Sequence, residues 1–282
     1  MVIHVVKASG ETELLDIDKV RKSCLRTGAS PDTAERIVQK VSKFAYDGIS
    51  TREIYRKVYQ LLVKCERNSA LKFRLKDAVM RMGPSGFSFE TYVSHILKSY
   101  GYRTRTGVIL KGASVNHEID IIAEESSNSG SVKHMVECKY HNASGIYTGL
   151  KEVMYTYARL LDLKEGYNKG FCERLDSAWL VTNTKISQEA WKYGEYKGLQ
   201  LTGWRCPTEK GLEKLIEKKS LYPITILKSV DKNSFRKFSK AGIILLKDLQ
   251  TLNLKNLSTR IGIPYRKLMK IQEELTKAEC LD

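Results

Sequence analysis

The chain has no apolar run approaching the roughly 18 residues that a membrane-spanning helix requires, so an integral helical membrane protein is excluded. Acidic residues are scarce beside basic ones: 32 Asp and Glu against 48 Lys and Arg leave a formal charge of +16. That excess makes an anionic partner the expectation. The six cysteines, Cys24, Cys65, Cys138, Cys172, Cys206 and Cys280, include no CxxC pair and no ligand-spaced histidine neighbour. A zinc framework is therefore not indicated, and reduced thiols in a cytoplasm are expected. Met1 to Gly10 lack the basic region, apolar block and cleavage site of a secretion signal, so this stretch reads as part of the fold. Internal repeats are missing too, and no low-complexity segment exceeds the Ser126 to Gly130 loop. At 282 residues the chain is longer than one small core organises, and two or three compact units are expected.

The patterning predicts where these units lie. Ile3 to Lys7 and Glu11 to Leu15 alternate about a turn at Ala8-Ser9-Gly10, which predicts a short hairpin. Helices follow, with Asp18, Pro31 and Ser50 as start signals, and a fourth is expected from about Ser69 to Met82. Gly83-Pro84-Ser85-Gly86 concentrates helix breakers and marks a boundary. Beyond it a helix carrying Phe87, Phe89, Val93, Ile96 and Leu97 precedes strands near 103–110, 118–123 and 132–140, the last two joined through Ser126 to Gly130. A helix over 147–163, a strand at 178–181, a helix after Ser187 and a strand at 199–202 complete an α/β unit with a mixed central sheet. From about Tyr222 the strand signal disappears, and a small all-helical unit is expected. The domains so drawn are 1–83, 84–220 and 221–282.

Chemistry concentrates in the central unit. Strand side chains alternate faces, so Glu137 and Lys139 share one side and Cys138 takes the other. Glu118 and Asp120 pair by the same rule, and Asp120 sits beside a run of β-branched residues where an unpartnered acid would be costly. If the hairpin closes through Ser126 to Gly130, Asp120 and Glu137 converge on one sheet edge. They then offer two hard oxygen ligands for Mg²⁺ or Mn²⁺, with the Lys139 ammonium close by. Such a set suits phosphodiester hydrolysis, in which the metal polarises a phosphoryl oxygen and Lys139 orients water or neutralises developing charge. The same residues also fit a cross-strand salt-bridge cluster on a solvated face. His117, His134 and His141 are assigned no role, because lone histidines at strand ends are usually structural. Tyr147, Tyr155 and Tyr157 form a helical stripe read as core, with Tyr155 and Lys151 as candidates for DNA contact.

Asp120 followed by Glu137-Cys138-Lys139 resembles the bipartite signature of the PD-(D/E)xK nuclease superfamily. Gly86-Phe87-Ser88-Phe89-Glu90, Tyr100-Gly101-Tyr102 and Leu180-Val181-Thr182-Asn183-Thr184 are similar to its Mrr-like restriction endonuclease branch over roughly 86–220. The resemblance implies an assisting acid at Glu90 and a metal-ligating backbone carbonyl at Cys138. Glu118 departs from the branch, which commonly has glycine there. The N-terminal Val5 to Gly10, Leu15 to Val20 and Tyr46 to Thr51 resemble the ATP-cone domain of ribonucleotide reductases and their repressor, over about 1–82. That likeness implies ATP or dATP as a regulatory ligand, with Lys7 and Lys19 at the phosphates and Glu13, Asp16 and Thr51 around base and sugar. Ala8 departs from the family, which usually carries a second basic residue there.

Phe235 to Ala241, Gly242-Ile243, Asp248-Leu249 and Ile261 to Pro264 resemble a helix-hairpin-helix module, although Pro264 removes one amide donor. Lys255, Arg260, Arg266, Lys267 and Lys270 are read as phosphate contacts or as an ordinary solvated face. The combined expectation is a cytoplasmic, metal-dependent endodeoxyribonuclease regulated through the cone. Its expected partners are DNA and a nucleotide, without a membrane, and it is expected to be a homo-oligomer, dimer or higher. The alternative is a nucleotide-responsive DNA-binding regulator that keeps the nuclease fold as a platform; RNA or branched DNA remains open as substrate.

Overall fold

The computed structural model of the chain describes residues 2–7, 9–83, 86–127, 130–143 and 145–276. Ala8, Pro84-Ser85, Asn128-Ser129, Cys280 and the side chain of Phe87 lie outside the described residues. By packing, the chain forms two compact units: 1–78 with 226–230 and 254–282, and 79–225 with 231–253.

The first unit opens with β1 (His4–Val6) and β2 (Thr12–Leu14), an antiparallel hairpin. Gly10 takes φ of 88° in the turn, a left-handed conformation that side chains resist. Helices α1 (Ile17–Arg26), α2 (Pro31–Phe44) and α3 (Thr51–Cys65) follow, with β3 (Ile49–Ser50) added parallel to β1. Two residues of strand are too few for a period-2 pattern, so β3 has no sequence signature. Ser50 caps α3 as expected, in a capping box with Glu53. The α1 cap, by contrast, is Asp16 and not Asp18: the Asp16 carboxylate accepts from the amides of Asp18 and Lys19. An acid two residues earlier relieves the same unpaired amides, which is why the two are hard to separate by sequence. The helix expected over 69–82 is two short ones, α4 (Arg67–Phe73) and α5 (Leu75–Met80). Apolar faces of α1 to α4 close a core around Val20, Cys24, Ile37, Val41, Val58 and Leu62. The later part of the chain returns to this unit. Arg74 donates to the carbonyl of Ile226 at 2.6 Å, and Glu274 accepts from the amides of Lys228 and Ser229 at 2.7 and 2.9 Å.

The second unit is built on a five-stranded sheet flanked by helices. In chain order its elements are α6 (Gly86–Ser99), β4 (Arg103–Lys111), β5 (Asn116–Ser127), β6 (Gly130–Lys139), β7 (Tyr147–Thr148), α7 (Leu150–Asn168), β8 (Ser177–Thr182), β9 (Lys185–Ile186), α8 (Gln188–Tyr196), β10 (Gln200–Thr202) and α9 (Leu212–Lys218). The sheet runs β10-β8-β6-β5-β4, antiparallel through β4, β5 and β6 and parallel from β6 to β8 and β10. Met135, Ala178 and Leu180 pack with Val153, Leu160 and Leu163 of α7. The alternate residues Val136, Cys138, Trp179 and Val181 are buried on the α6 side, where the Phe89 ring centroid lies 5.4 Å from that of Tyr140. Burial on both faces explains the near-continuous apolar run of β8. Tyr147, expected to begin the α7 helix, instead pairs with Lys185 in a two-stranded β7-β9 ladder.

The remaining helices are α10 (Lys232–Lys240), α11 (Leu254–Ile261) and α12 (Tyr265–Thr276), with short 3₁₀ turns at Ile224–Ile226 and Leu246–Leu249. α10 packs within the sheet unit, whereas α11 and α12 pack with the N-terminal helices. Gly262, at φ 64°, makes the turn from α11 into α12.

Candidate active site

The site forms where two strands part. β5 and β6 pair from Ser127 and Gly130 as far as Ile121 and Val136. Beyond that point β6 continues with β8 to the Lys139–Thr182 pair, and β5 continues with β4 to Asn116. Asp120 and Glu137 are the first residues past the split. One Asp120 oxygen stays bound to β6 by accepting from the Cys138 amide at 2.7 Å, which leaves the other free. Lys139 stands two residues beyond Glu137 on the same face and exerts an attractive field on it. The third acid comes from the first turns of α6: Glu90 is half-buried and feels Asp120, Glu118 and Glu137 as like charges.

Electrostatics report how tightly these acids are confined. Burial, then repulsion by Asp120, Glu118 and Glu137, pushes Glu90 up to about 7. Burial and then Asp120 push Glu137 up to about 7, against the opposing pull of Arg159 and Lys139. Asp120 is raised by burial, although the Cys138 amide bond works the other way. Burial, and then the same acids, drive the Cys138 thiol well upward, so it stays protonated and unreactive.

Arg159 is a residue of the notch that the sequence pattern alone does not single out. It projects from α7, where its side chain is 8% exposed, and its guanidinium pairs with the Glu137 carboxylate and donates to the Glu118 carbonyl. The Tyr155 ring caps it at 5.5 Å. A signal was present: Arg159 interrupts the buried stripe Val153, Thr156, Leu160 and Leu163, and a cation at such a position demands a buried anion. The histidines have structural partners instead: His117 with Asp162 at 2.8 Å, His134 with Ser177 at 2.7 Å and His141 with Thr148 at 3.0 Å.

The donor set suits a hard divalent cation. Among the described residues no three His, Cys, Asp or Glu side chains form a cage for an ion. Mg²⁺ does not require one, since it binds through one or two carboxylates and completes its shell with water and substrate phosphate. Burial and like charges raise Glu137 and Glu90 despite the Arg159 pair on Glu137, and a dication beside them would relieve the repulsion.

In the first unit Lys7 reaches Glu13 at 2.9 Å, and Lys19 reaches the same carboxylate at 3.4 Å. Glu13 thus gathers both cations near the hairpin. Asp16 is engaged as the α1 cap, and Thr51 is the first residue of α3, just beyond the β1–β3 ladder. Lys255, Arg260 and Arg266 are exposed on α11 and α12, and Lys267 is partly covered.

This sheet and its carboxylate notch lie in a restriction endonuclease-like domain. The restriction endonuclease family model matches 82–203, the ATP cone domain matches 3–76, and the AF1548-like C-terminal domain matches 222–277. An uncharacterized protein of Archaeoglobus fulgidus is 40% identical over 185 residues, 66% of this chain and 98% of its own length. The crystal structure of the protein of unknown function AF1548 is 38% identical, covering 68% of this chain and 97% of that one with a TM-score of 0.59. The chain belongs to the AF1548-like family and carries an ATP cone domain together with the restriction endonuclease domain. The MspJI restriction endonuclease in complex with a 27-mer oligonucleotide, at 16% identity and a TM-score of 0.33, is too distant to bear on this chain. No helix of the described residues is long and apolar enough to cross a membrane.

The Arg159–Glu137 pair yields a prediction. Because Glu137 is raised when folded, its ionisation opposes folding: in the metal-free protein its contribution to stability is fully present below the ordinary carboxylate pKa and is lost as pH rises to about 7. Arg159→Met removes the main attractor, so the loss should continue above pH 7, by about 1.4 kcal/mol for each further unit of upward shift. Urea denaturation at pH 6 and 9 checks this; equal destabilisation at both would show that the pair carries no such coupling.

Proposed function

We propose that the protein is a metal-dependent endodeoxyribonuclease whose activity is set by ATP or dATP at the N-terminal cone. The carrying observation is the convergence of Asp120, Glu137 and Glu90 where β5 and β6 part, with Lys139 on the Glu137 face. Asp120 and Glu137 would hold the metal, with the Cys138 carbonyl as a further donor. A bound Mg²⁺ or Mn²⁺ would supply Lewis acidity at the phosphoryl oxygen and acidify its water. Lys139 orients the attacking water and offsets charge on the phosphoryl group. Hydrolysis adds that water oxygen to phosphorus, breaks one P–O ester bond and protonates the departing oxygen. Glu90, near 7, is placed in the range to exchange a proton at neutral pH. The excess positive charge of the chain suits the DNA backbone.

Regulation follows from the cone. A triphosphate there would displace Glu13 from Lys7 and Lys19, trading one carboxylate for several phosphate oxygens. Exchange of that ion-pair set on ligand binding is the switch we assign to the domain, with assembly into a homo-oligomer as its readout.

One observation favours a second reading. Arg159 already supplies a cation to Glu137, which is what a non-catalytic DNA-binding platform would keep. Supercoiled plasmid incubated with Mg²⁺ or Mn²⁺ separates the two. Nicking or linearisation that disappears in Asp120→Ala is the expected result, and retardation of DNA without product under every condition would establish the platform instead.

Metal affinity should follow pH, because the cation displaces protons from Glu137 and Glu90. Mn²⁺ binding is expected to strengthen up to pH 7, by as much as about tenfold per unit for each proton released, and to level off above it. Calorimetry in buffers of different ionisation enthalpy counts those protons; zero release at pH 6 would contradict the site. In Lys7→Ala, cleavage should persist while the effect of ATP or dATP is lost, and an unchanged nucleotide response would remove Lys7 from the phosphate site.

A further inference from the structure

A second cationic feature of the sheet unit lies outside the carboxylate notch. A cavity of about 580 Å³ opens between the start of α6 and α10, lined by Arg81, Ser88, Lys232, Arg236, Ser239 and Lys240 among others. No acidic side chain lines it among the described residues. Lys232, Arg236 and Lys240 recur every fourth residue, so they stand in one row along α10, about 6 Å of rise apart. All three are exposed, and no ion pair reaches them among the described residues. Asp231, the acid nearest in sequence, is turned into the helix cap, accepting from the amide and hydroxyl of Ser234 at 2.8 Å each. Like charges at this spacing repel, so the row is held at a cost that an anion would remove. The opposite face of α10 is firmly anchored by buried Phe235 and Phe238.

Position ties the row to the notch. Ser88 and Glu90 are two residues apart on α6, about 200° around the helix, and so face opposite ways. Ser88 Oγ lies 3.2 Å from Ser239 Oγ of α10, whereas Glu90 feels Asp120 and Glu137. The cavity and the carboxylates are therefore separated by roughly one helix diameter, about 10–12 Å.

We propose that this cavity is a phosphate-backbone tract, in which Lys232, Arg236 and Lys240 grip successive phosphates of a nucleic-acid strand whose neighbouring phosphodiester reaches Asp120 and Glu137. The choice of nucleic acid rests on the nuclease reading. The row itself argues for a ligand with charges spaced along its length, as in a strand with one charge per nucleotide, and against the compact charge of a single nucleotide. Grip through phosphates carries no base sequence, so the tract fixes where along the strand the notch falls without reading bases.

The test compares the full chain with Lys232→Gln/Arg236→Gln/Lys240→Gln, using fluorescein-labelled short single strands and duplexes in EDTA over a series of salt concentrations. The substitutions are on exposed side chains, and matching thermal melts would confirm the fold. We expect at least tenfold weaker binding of one or both forms and a salt slope shallower by about two. Unchanged affinity and slope would overturn the tract, as would loss of ATP binding with oligonucleotide binding intact. Cleavage with Mg²⁺ added back distinguishes the two readings. A wild-type chain that binds through the row but cuts nothing would sink the nuclease reading alone; a triple variant that binds and cuts like wild type would sink the tract alone.

Discussion

The proposed chemistry of this chain depends on confining several carboxylates in one partly desolvated notch. Asp120, Glu137 and Glu90 come from two strands and a helix, and burial with mutual repulsion pushes Glu137 and Glu90 to about 7. The arrangement is tolerable because the sheet supplies opposing terms. The Cys138 amide holds Asp120, and the Arg159 guanidinium holds Glu137. Both are fixed by elements with their own reasons to be there: Cys138 by the parallel ladder to β8, Arg159 by the apolar stripe of α7. The notch is thus a site of stored repulsion inside a well-packed frame, and such sites are where perturbed titration marks function.

The frame explains why the strain is local. On both sides of the sheet, alternate residues of β6 and β8 are buried against helices, and each fully buried aliphatic side chain contributes about 1.5–3 kcal/mol. Opening β5 from β6 removes ladder bonds only past Ile121 and Val136, at the end where the acids need room. The first unit follows the same design on a smaller scale. Its helices close a core of their own, and the surface beside the hairpin carries Lys7, Lys19 and Glu13 in an ion-pair set.

Much of this was legible before any coordinates. The alternation that puts Glu137 and Lys139 on one face, the capping role of Ser50 and Ser187 and the strands of the sheet all follow from rules that act within a few residues. Where the reading slipped, the competing choices were also local and nearly equal. Asp16 and Asp18 both precede the same helix, and 69–82 carries a helical pattern that does not show the break at Arg74. The strands β3, β7 and β9 are two residues each and have no periodicity to read.

What the sequence determined by itself is the inventory and its local setting: acids flanked by β-branched residues, a lysine two positions from one of them, a basic hairpin, and an amphipathic helix with cations every fourth residue. Tertiary structure alone decided which of these meet. Arg159 is 22 residues from Glu137 and on a different element, Glu90 approaches from a helix that precedes the sheet, and α10 brings its cationic row to the start of α6. Spacing rules govern neighbours along a helix or strand, whereas contacts across elements are set by how whole apolar faces pack. A charge's partner, and therefore its titration, is known only once that packing is complete.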